Sequence, residues 1–297
     1  MNMNLLDVID QFGDDESCRA YLEGLRWPNG VACPRCECDS VSRIHDRGQF
    51  DCNSCRYRFS VTAGTLFNDS HLPLRKWFLA IYLICESKKG ISSKQLQRTL
   101  GTSYKTAWYL QHRIRDAMGD DDQPLLNGIV EVDETWIGGK RKHVGRGFTG
   151  NKAVVVGAVA RGGEVRLKVV ANKDRKTLQA FIDAHSAPDS MIFTDDYAVY
   201  DYLPPDRHQE VNHSAEEWVR GDVHTNTVEG VWSLFKRSVV GSYHKVSIKH
   251  LPAYLDEMEF RFNGRDNPYL FRDTLMVMLE GDALPYKALV HGVDSST

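Results

Sequence analysis

Four cysteines in two pairs constrain this chain more than any other feature of its 297 residues. Cys33-Pro-Arg-Cys36 and Cys52-Asn-Ser-Cys55 have the same two-residue gap and stand fifteen residues apart. Thiolates spaced this way on a tight turn point at one centre, and two such turns complete a tetrahedral zinc site. The segment between them is long enough for a short β-hairpin. Four thiolates leave no open position for water or substrate, so one structural Zn²⁺ is expected, folding a ribbon too small to build its own core. Cys38 is an alternative to Cys36, although a one-residue gap fits a knuckle poorly. Cys18 and Cys85 stand alone among apolar residues and read as small core residues.

The N-terminal stretch MNMNLLDVIDQFGDDES has no basic region and carries acid early, unlike a secretory signal. The longest apolar runs are too short to cross a bilayer. A cytoplasmic protein without a membrane partner is therefore expected, its seven cysteines reduced rather than paired. With 42% hydrophobic and 26% charged residues, the chain is neither disordered nor a coiled-coil rod.

A net charge of −3 argues against a nucleic-acid partner only as an average. Residues 1–25 carry −5, residues 26–118 carry +8, and residues 119–297 carry −6. A basic block between acidic ones reads as a polyanion-binding module joined to something else. Arg35, Arg43, Arg47, Arg56 and Arg58 surround the cysteine pairs, either to contact phosphate or to offset the zinc–thiolate charge.

From Leu72 the apolar residues recur at helical steps: Leu74, Trp77, Phe78, Ile81 and Tyr82 share a face. Ser92 or Ser93 caps a short helix, Gly101-Thr102-Ser103 makes a turn, and a helix over Tyr104–Met118 follows. Helix, glycine turn and second helix at this length predict a helix-turn-helix. Its second helix would offer Lys105 and Thr106 near its start and Arg113 and Arg115 further along, side chains suited to phosphate contact and base-edge readout. An ordinary helical hairpin with a solvated face is the competing reading.

Gly119-Asp120-Asp121-Asp122-Gln123-Pro124 marks a boundary. Beyond it strands are predicted over Gly128–Ile137, Ala153–Arg161 and Glu164–Ala171, then a helix over Arg175–His185, a strand over Ser190–Thr194, and helices from about Thr225 and Ser247. That order matches a ribonuclease-H-like α/β core.

Three carboxylates occupy suggestive places in it: Asp133 in the first strand, Asp195 at the end of the fourth, and Glu229 in the late helix. Converging there, they would provide the hard oxygen ligands that a pair of Mg²⁺ or Mn²⁺ ions needs for in-line phosphodiester displacement. Glu131 and Glu134 flank Asp133, and Asp196 competes with Asp195. Lys236, seven residues beyond Glu229, lies on nearly the same helix side, placed to hold a DNA phosphate. The dense basic run Lys140-Arg141-Lys142 beside the first strand suits a grip on the DNA backbone.

The passages LRWPNGVACPRC, CNSCRYRFSVTAGTLF, VEVDETWIGGK, TDDYAVY, HTNTVEGVWSLFKRSVVGSYHKVS and YLDEMEFRFNGR resemble the ISXO-like insertion-sequence transposases of bacteria and archaea, which join a zinc ribbon to a DDE domain. The resemblance covers most of residues 18–265 and weakens beyond Arg265. It implies a multidomain α/β protein: a helical lead-in over 1–25, a zinc ribbon over 26–70, a helix-turn-helix region over 71–120, a ribonuclease-H-like catalytic domain over 125–265 and a helical tail over 266–297. It implies Asp133, Asp195 and Glu229 as ligands of two Mg²⁺ or Mn²⁺ ions and Lys236 as the associated basic catalytic residue. It implies Cys33, Cys36, Cys52 and Cys55 as the zinc ligands. The partners implied are double-stranded DNA, both element ends and target, and further copies of the chain in the active complex. A DNA-binding regulator without catalysis, or a nuclease that cuts without joining, are the competing functions.

Overall fold

The computed structural model describes residues 3–120, 122–138, 152–212, 215 and 219–291, so Lys140, Arg141 and Lys142 lie outside the described residues. The chain divides into two compact units, residues 1–118 with 267–297, and residues 119–266. No helix among the described residues is long and apolar enough to cross a membrane.

The first unit starts with α1 (Leu5–Gln11) and α2 (Asp15–Arg26). Asn4 and Asp14 set their starts by accepting backbone N–H groups of the first turn. The zinc ribbon follows as an antiparallel sheet of β1 (Val41–Ile44), β2 (Gln49–Cys52) and β3 (Arg58–Phe59). Gly48 closes the β1–β2 turn at φ +58°, a left-handed conformation that favours glycine. Phe50 and Phe59 are buried beneath Trp27, whose ring meets theirs edge-on at 5.6 and 5.9 Å.

Three helices complete the middle of this unit: α3 (Leu74–Glu86), α4 (Ser93–Leu100) and α5 (Tyr104–Met118). Ser92 caps α4 by accepting the Gln95 N–H at 3.1 Å, and Gly101 ends it at φ +58°. In its middle α5 has no solvated face, because Leu110 through Arg115 are all buried. The expectation that Arg113 and Arg115 stand on an open helix face is corrected: they are only 3% and 1% exposed. Arg113 donates to the Asn68 carbonyl and lies over the rings of Tyr109 and Trp77.

The segment expected as a C-terminal tail is built into this first unit. α9 (Leu270–Glu280) packs on α2, α3 and α5, burying Phe271, Leu275 and Met278. A short α10 (Tyr286–His291) follows.

The second unit is a five-stranded mixed sheet with helices on both faces. Its strands are β4 (Ile129–Gly138), β5 (Lys152–Ala160), β6 (Val165–Val170), β7 (Met191–Asp195) and β8 (His208–Val211), in the order β6-β5-β4-β7-β8. β5 runs antiparallel to β4 and β6, while β7 and β8 run parallel to β4. The β5–β6 turn is the Arg161-Gly162-Gly163 predicted from sequence, with Gly162 at φ +70°. β8 was not anticipated: its polar HQEV run forms an edge strand, where half its side chains face solvent.

Strand alternation sorts the β4 side chains between two cores. Val130 and Val132 face α6 (Arg175–His185), packing with Val156, Leu178 and Phe181. The opposite face packs Val155, Val159 and Leu167 against Trp232 and Phe235 of α7 (Asn226–Ser238) and Leu255 of α8 (Leu251–Asn263). Asp133 has the odd parity, so it belongs to the α7 face.

Candidate catalytic and zinc sites

The pairing of β4 with β7 sets two carboxylates side by side. Glu131 is in register with Phe193, and two residues further along both parallel strands are Asp133 and Asp195. α7 crosses the same face and adds Glu229. Asp133, Asp195, Glu229 and Lys236 all line one cleft of about 790 Å³. Asp196 is not in the lining, which leaves Asp195 as the residue of that pair placed at the site.

Burial pushes the Asp133 carboxyl up to about 7, with the charges of Glu134 and Asp195 adding to the effect. A hydrogen bond from Trp232 Nε1 to Asp133 Oδ2 at 2.8 Å pulls the other way and fixes the carboxylate's rotation. Asp133 and Asp195 repel one another in this cleft, and a cation would relieve that repulsion. The donor set, carboxylate oxygens alone, is the kind Mg²⁺ and Mn²⁺ prefer. The oxygens do not all lie within 4.8 Å of one another, as the cysteine sulfurs do.

Residues that sequence reading missed hold this arrangement. Glu131, fully buried, accepts the N–H groups of Thr227 and Val228 at 2.7 and 3.1 Å, so a strand carboxylate caps the N-terminus of α7. It also accepts Thr227 Oγ1–H at 2.8 Å and pairs with Arg161 at 2.7 Å, and His224 Nδ1 lies 3.2 Å away. Glu131 therefore ties the strand carrying Asp133 to the helix carrying Glu229. The signal was its parity, two residues before Asp133. Glu134, of opposite parity, turns to the other face, where Lys173 Nζ and Tyr200 Oη donate to it at 3.0 and 2.9 Å. Arg237 was also missed, and it lines the cleft beside Lys236.

Replacing Glu131 by Gln is expected to cost about 2–3 kcal/mol, because the amide cannot accept every donor aimed at it and leaves Arg161 without its charge partner. Chemical denaturation of the variant measures this. Gly157 shows a second dependence. It pairs with Asp133 across β4–β5, and a Cβ there would meet the Trp232 ring at 2.7 Å. Gly157→Ala must push the indole off Asp133 at a cost of about 1–3 kcal/mol, read as a lowered Tm.

At the ribbon, the Sγ atoms of Cys33, Cys36, Cys52 and Cys55 all lie within 4.8 Å of one another. Cys33–Cys55 and Cys36–Cys52 are each 3.6 Å apart, close to the edge of about 3.8 Å in a ZnS₄ tetrahedron with 2.3 Å bonds. The two knuckles share one geometry. Glu37 and Arg56 both sit at φ +58°, and their N–H groups bond back to the carbonyls of Cys33 and Cys52 at 2.8 and 3.0 Å. The four cysteines are positioned to bind zinc, and Cys38 is not among them. Around them, Arg43 pairs with Glu23 and Arg58 with Asp51, both at 2.8 Å. Lys105 and Thr106 stand in the first turn of α5, with Lys105 exposed.

Comparison with known proteins locates both halves of the chain. Residues 125–263 match the model of the ISXO2-like transposase domain, and residues 13–58 match that of the transposase zinc-ribbon domain. A protein of the transposable element ISH50 in Halobacterium salinarum is 31% identical over 275 residues, covering 85% of this chain and 92% of that one. A transposase-like protein of Haemophilus influenzae is 30% identical over 100 residues, covering 33% of this chain and 80% of that one. Among solved structures, a pre-cleavage Mos1 transpososome superposes with a TM-score of 0.27 at 15% identity, over 69% of this chain and 79% of that one. A superposition that loose carries no chemistry across.

Proposed function

This chain belongs to the ISXO2-like transposase family, and on that premise we propose that it binds the ends of its insertion sequence and catalyses metal-dependent DNA cleavage and strand transfer. The observation that carries the proposal is the single cleft in which Asp133, Asp195 and Glu229 meet beside Lys236. The catalytic unit is read as a ribonuclease-H-like core, supported by the strand order β6-β5-β4-β7-β8 in which β5 runs opposite to the other four.

Asp133, Asp195 and Glu229 would hold two Mg²⁺ or Mn²⁺ ions, whose charge would favour an attacking and a leaving oxygen in phosphodiester displacement. The chain's own residues supply the rest. Trp232 holds the rotation of Asp133, and Glu131 fixes the start of α7, the helix from which Glu229 lines the cleft. Lys236 and Arg237, two turns beyond Glu229, offer positive charge to the DNA backbone along the cleft. Lys105 and Thr106 in the first turn of α5 are the part of the proposed helix-turn-helix left accessible for DNA. Lys140, Arg141 and Lys142 would add backbone contacts, and the active complex would contain more than one copy of the chain.

A labelled duplex bearing the element's terminal repeat, incubated with the protein, Mg²⁺ and a target plasmid, tests this. Joined products support strand transfer. Cut ends without joining would make the protein a nuclease, and binding without cutting would make it a regulator.

The raised Asp133 carboxyl adds a pH prediction. Between about pH 4 and 7 the folded chain keeps a proton that the unfolded chain has lost, so this group's contribution to stability falls as pH rises through that window. A divalent cation must displace that proton. Mn²⁺ affinity measured by calorimetry is therefore expected to fall up to about tenfold per pH unit below 7 and to level off above it.

A further inference from the structure

A second cavity, of about 590 Å³, opens in the first unit at the N-terminus of α5, away from the carboxylate cleft in sequence and in chemistry. Its lining includes three basic side chains, His71, Lys105 and Arg113, against one acid, Asp69. Trp77, Tyr109 and Tyr286 supply aromatic walls.

Arg113 is the unusual member. It is 3% exposed, and its Nε has no hydrogen-bond partner. The one bond its guanidinium makes is to the neutral carbonyl of Asn68, and it forms no ion pair among the described residues. A guanidinium taken out of water with no carboxylate bonded to it is costly; Asp69 acts on Arg113 only through space, and an oxyanion in the cavity would supply a bonded acceptor and charge. Thr102 Oγ1, also in the lining, is buried without a partner.

The helix start adds to this. Ser103 Oγ accepts the Thr106 N–H at 3.0 Å and so occupies one of the first-turn donors. The preceding N–H groups of Tyr104 and Lys105 precede any intrahelical acceptor, and the positive end of a 15-residue helix favours an anion beside them. Donors that converge from a guanidinium, a lysine, a hydroxyl and a helix start suit a ligand with several oxygens rather than a planar carboxylate. The volume exceeds what a bare anion needs, and the aromatic walls suit a ring carried with it. Lys105 Nζ already lies 4.4 Å from the centre of the Tyr286 ring, and the Arg113 guanidinium 5.0 Å from that of Tyr109.

We propose that this cavity binds a nucleoside phosphate, with Arg113, Lys105 and the first turn of α5 receiving the phosphate and the Trp77–Tyr109–Tyr286 walls receiving the base. The ligand is either a free mononucleotide or one unit of a DNA strand. The assignment does not rest on the strand-transfer reading, because it uses none of the residues of the carboxylate cleft.

Calorimetry of the full-length, zinc-loaded protein without added Mg²⁺ tests it, with dAMP and deoxyadenosine as probes. dAMP should bind and deoxyadenosine should not. Lys105→Gln, at an exposed position, and Arg113→Lys, which keeps the charge but loses the planar fork, should each weaken dAMP at least about tenfold. Lys105→Gln alone decides the matter where Arg113→Lys does not fold. No dAMP binding to the parent protein, equal binding of deoxyadenosine, or undiminished binding in Lys105→Gln overturns the proposal. Saturation with a DNA duplex then identifies the source. Loss of dAMP binding makes the occupant a unit of the DNA strand, and retained binding makes it a free nucleotide.

Discussion

Asp133→Asn is expected to lower DNA cleavage by a factor of about 10³ or more while leaving the protein as stable as its parent, or more so. The two effects have one cause. The Asp133 carboxyl is raised to about 7 because burial and the neighbouring Glu134 and Asp195 oppose its charge. An amide has no charge to bury, and its oxygen can still accept the Trp232 Nε1–H that now reaches Oδ2. Replacing the ionised group at pH 8 should therefore stabilise by about 1–2 kcal/mol once solvent screening is allowed for. The carboxylate is kept, on this reading, for what it holds rather than for the fold. A gel assay of cleavage and a thermal melt of the same preparation check both halves. Unchanged cleavage would remove Asp133 from the centre, and a clear fall in Tm would make it a structural residue.

Removal of zinc should be the largest stability effect in the molecule. The core cluster around the cysteines is small: its large buried side chains are Phe50 and Phe59, with Trp27 packed against them. Two of the four buried positions in that cluster, Cys33 and Cys52, are themselves ligands in the proposed site. A structural zinc contributes about 10–16 kcal/mol to folds of this kind, far more than a few aromatic contacts. Chelation at neutral pH is expected to release one zinc per chain, counted with a colorimetric indicator, and to abolish the β1–β2–β3 sheet. Cys36→Ser, at an exposed position in the cluster, should have the same effect with little loss of packing elsewhere. Retention of the sheet after chelation would mean that the ribbon folds on its aromatic core alone.

The features legible in the sequence were those set by local spacing. The cysteine knuckles, the Tyr104–Met118 and Arg175–His185 helices and the glycine turns follow from neighbouring residues, and the structure reproduces them. The core strands and the catalytic-site candidates were legible because strands of consecutive valines and a helix with a 3.6-residue stripe leave few arrangements. What escaped depends on distant partners. Arg113 and Arg115 look like surface cations on α5, but α3, α4 and α9 surround that helix, and α9 comes from the other end of the chain. Glu131 reads as one acid among three until strand parity puts it under the N-terminus of α7. β8 carries no apolar alternation because it is a sheet edge.

The central claim is that Asp133, Asp195 and Glu229 form one metal-dependent centre. Mn²⁺ binding to the parent protein and to Asp133→Asn, Asp195→Asn and Glu229→Gln, followed at pH 8 with Mg²⁺ as competitor, tests it most directly. The account predicts up to two Mn²⁺ ions per chain, displaced by Mg²⁺, and loss of at least one ion in each of the three variants. Mn²⁺ binding unaltered in all three variants contradicts it.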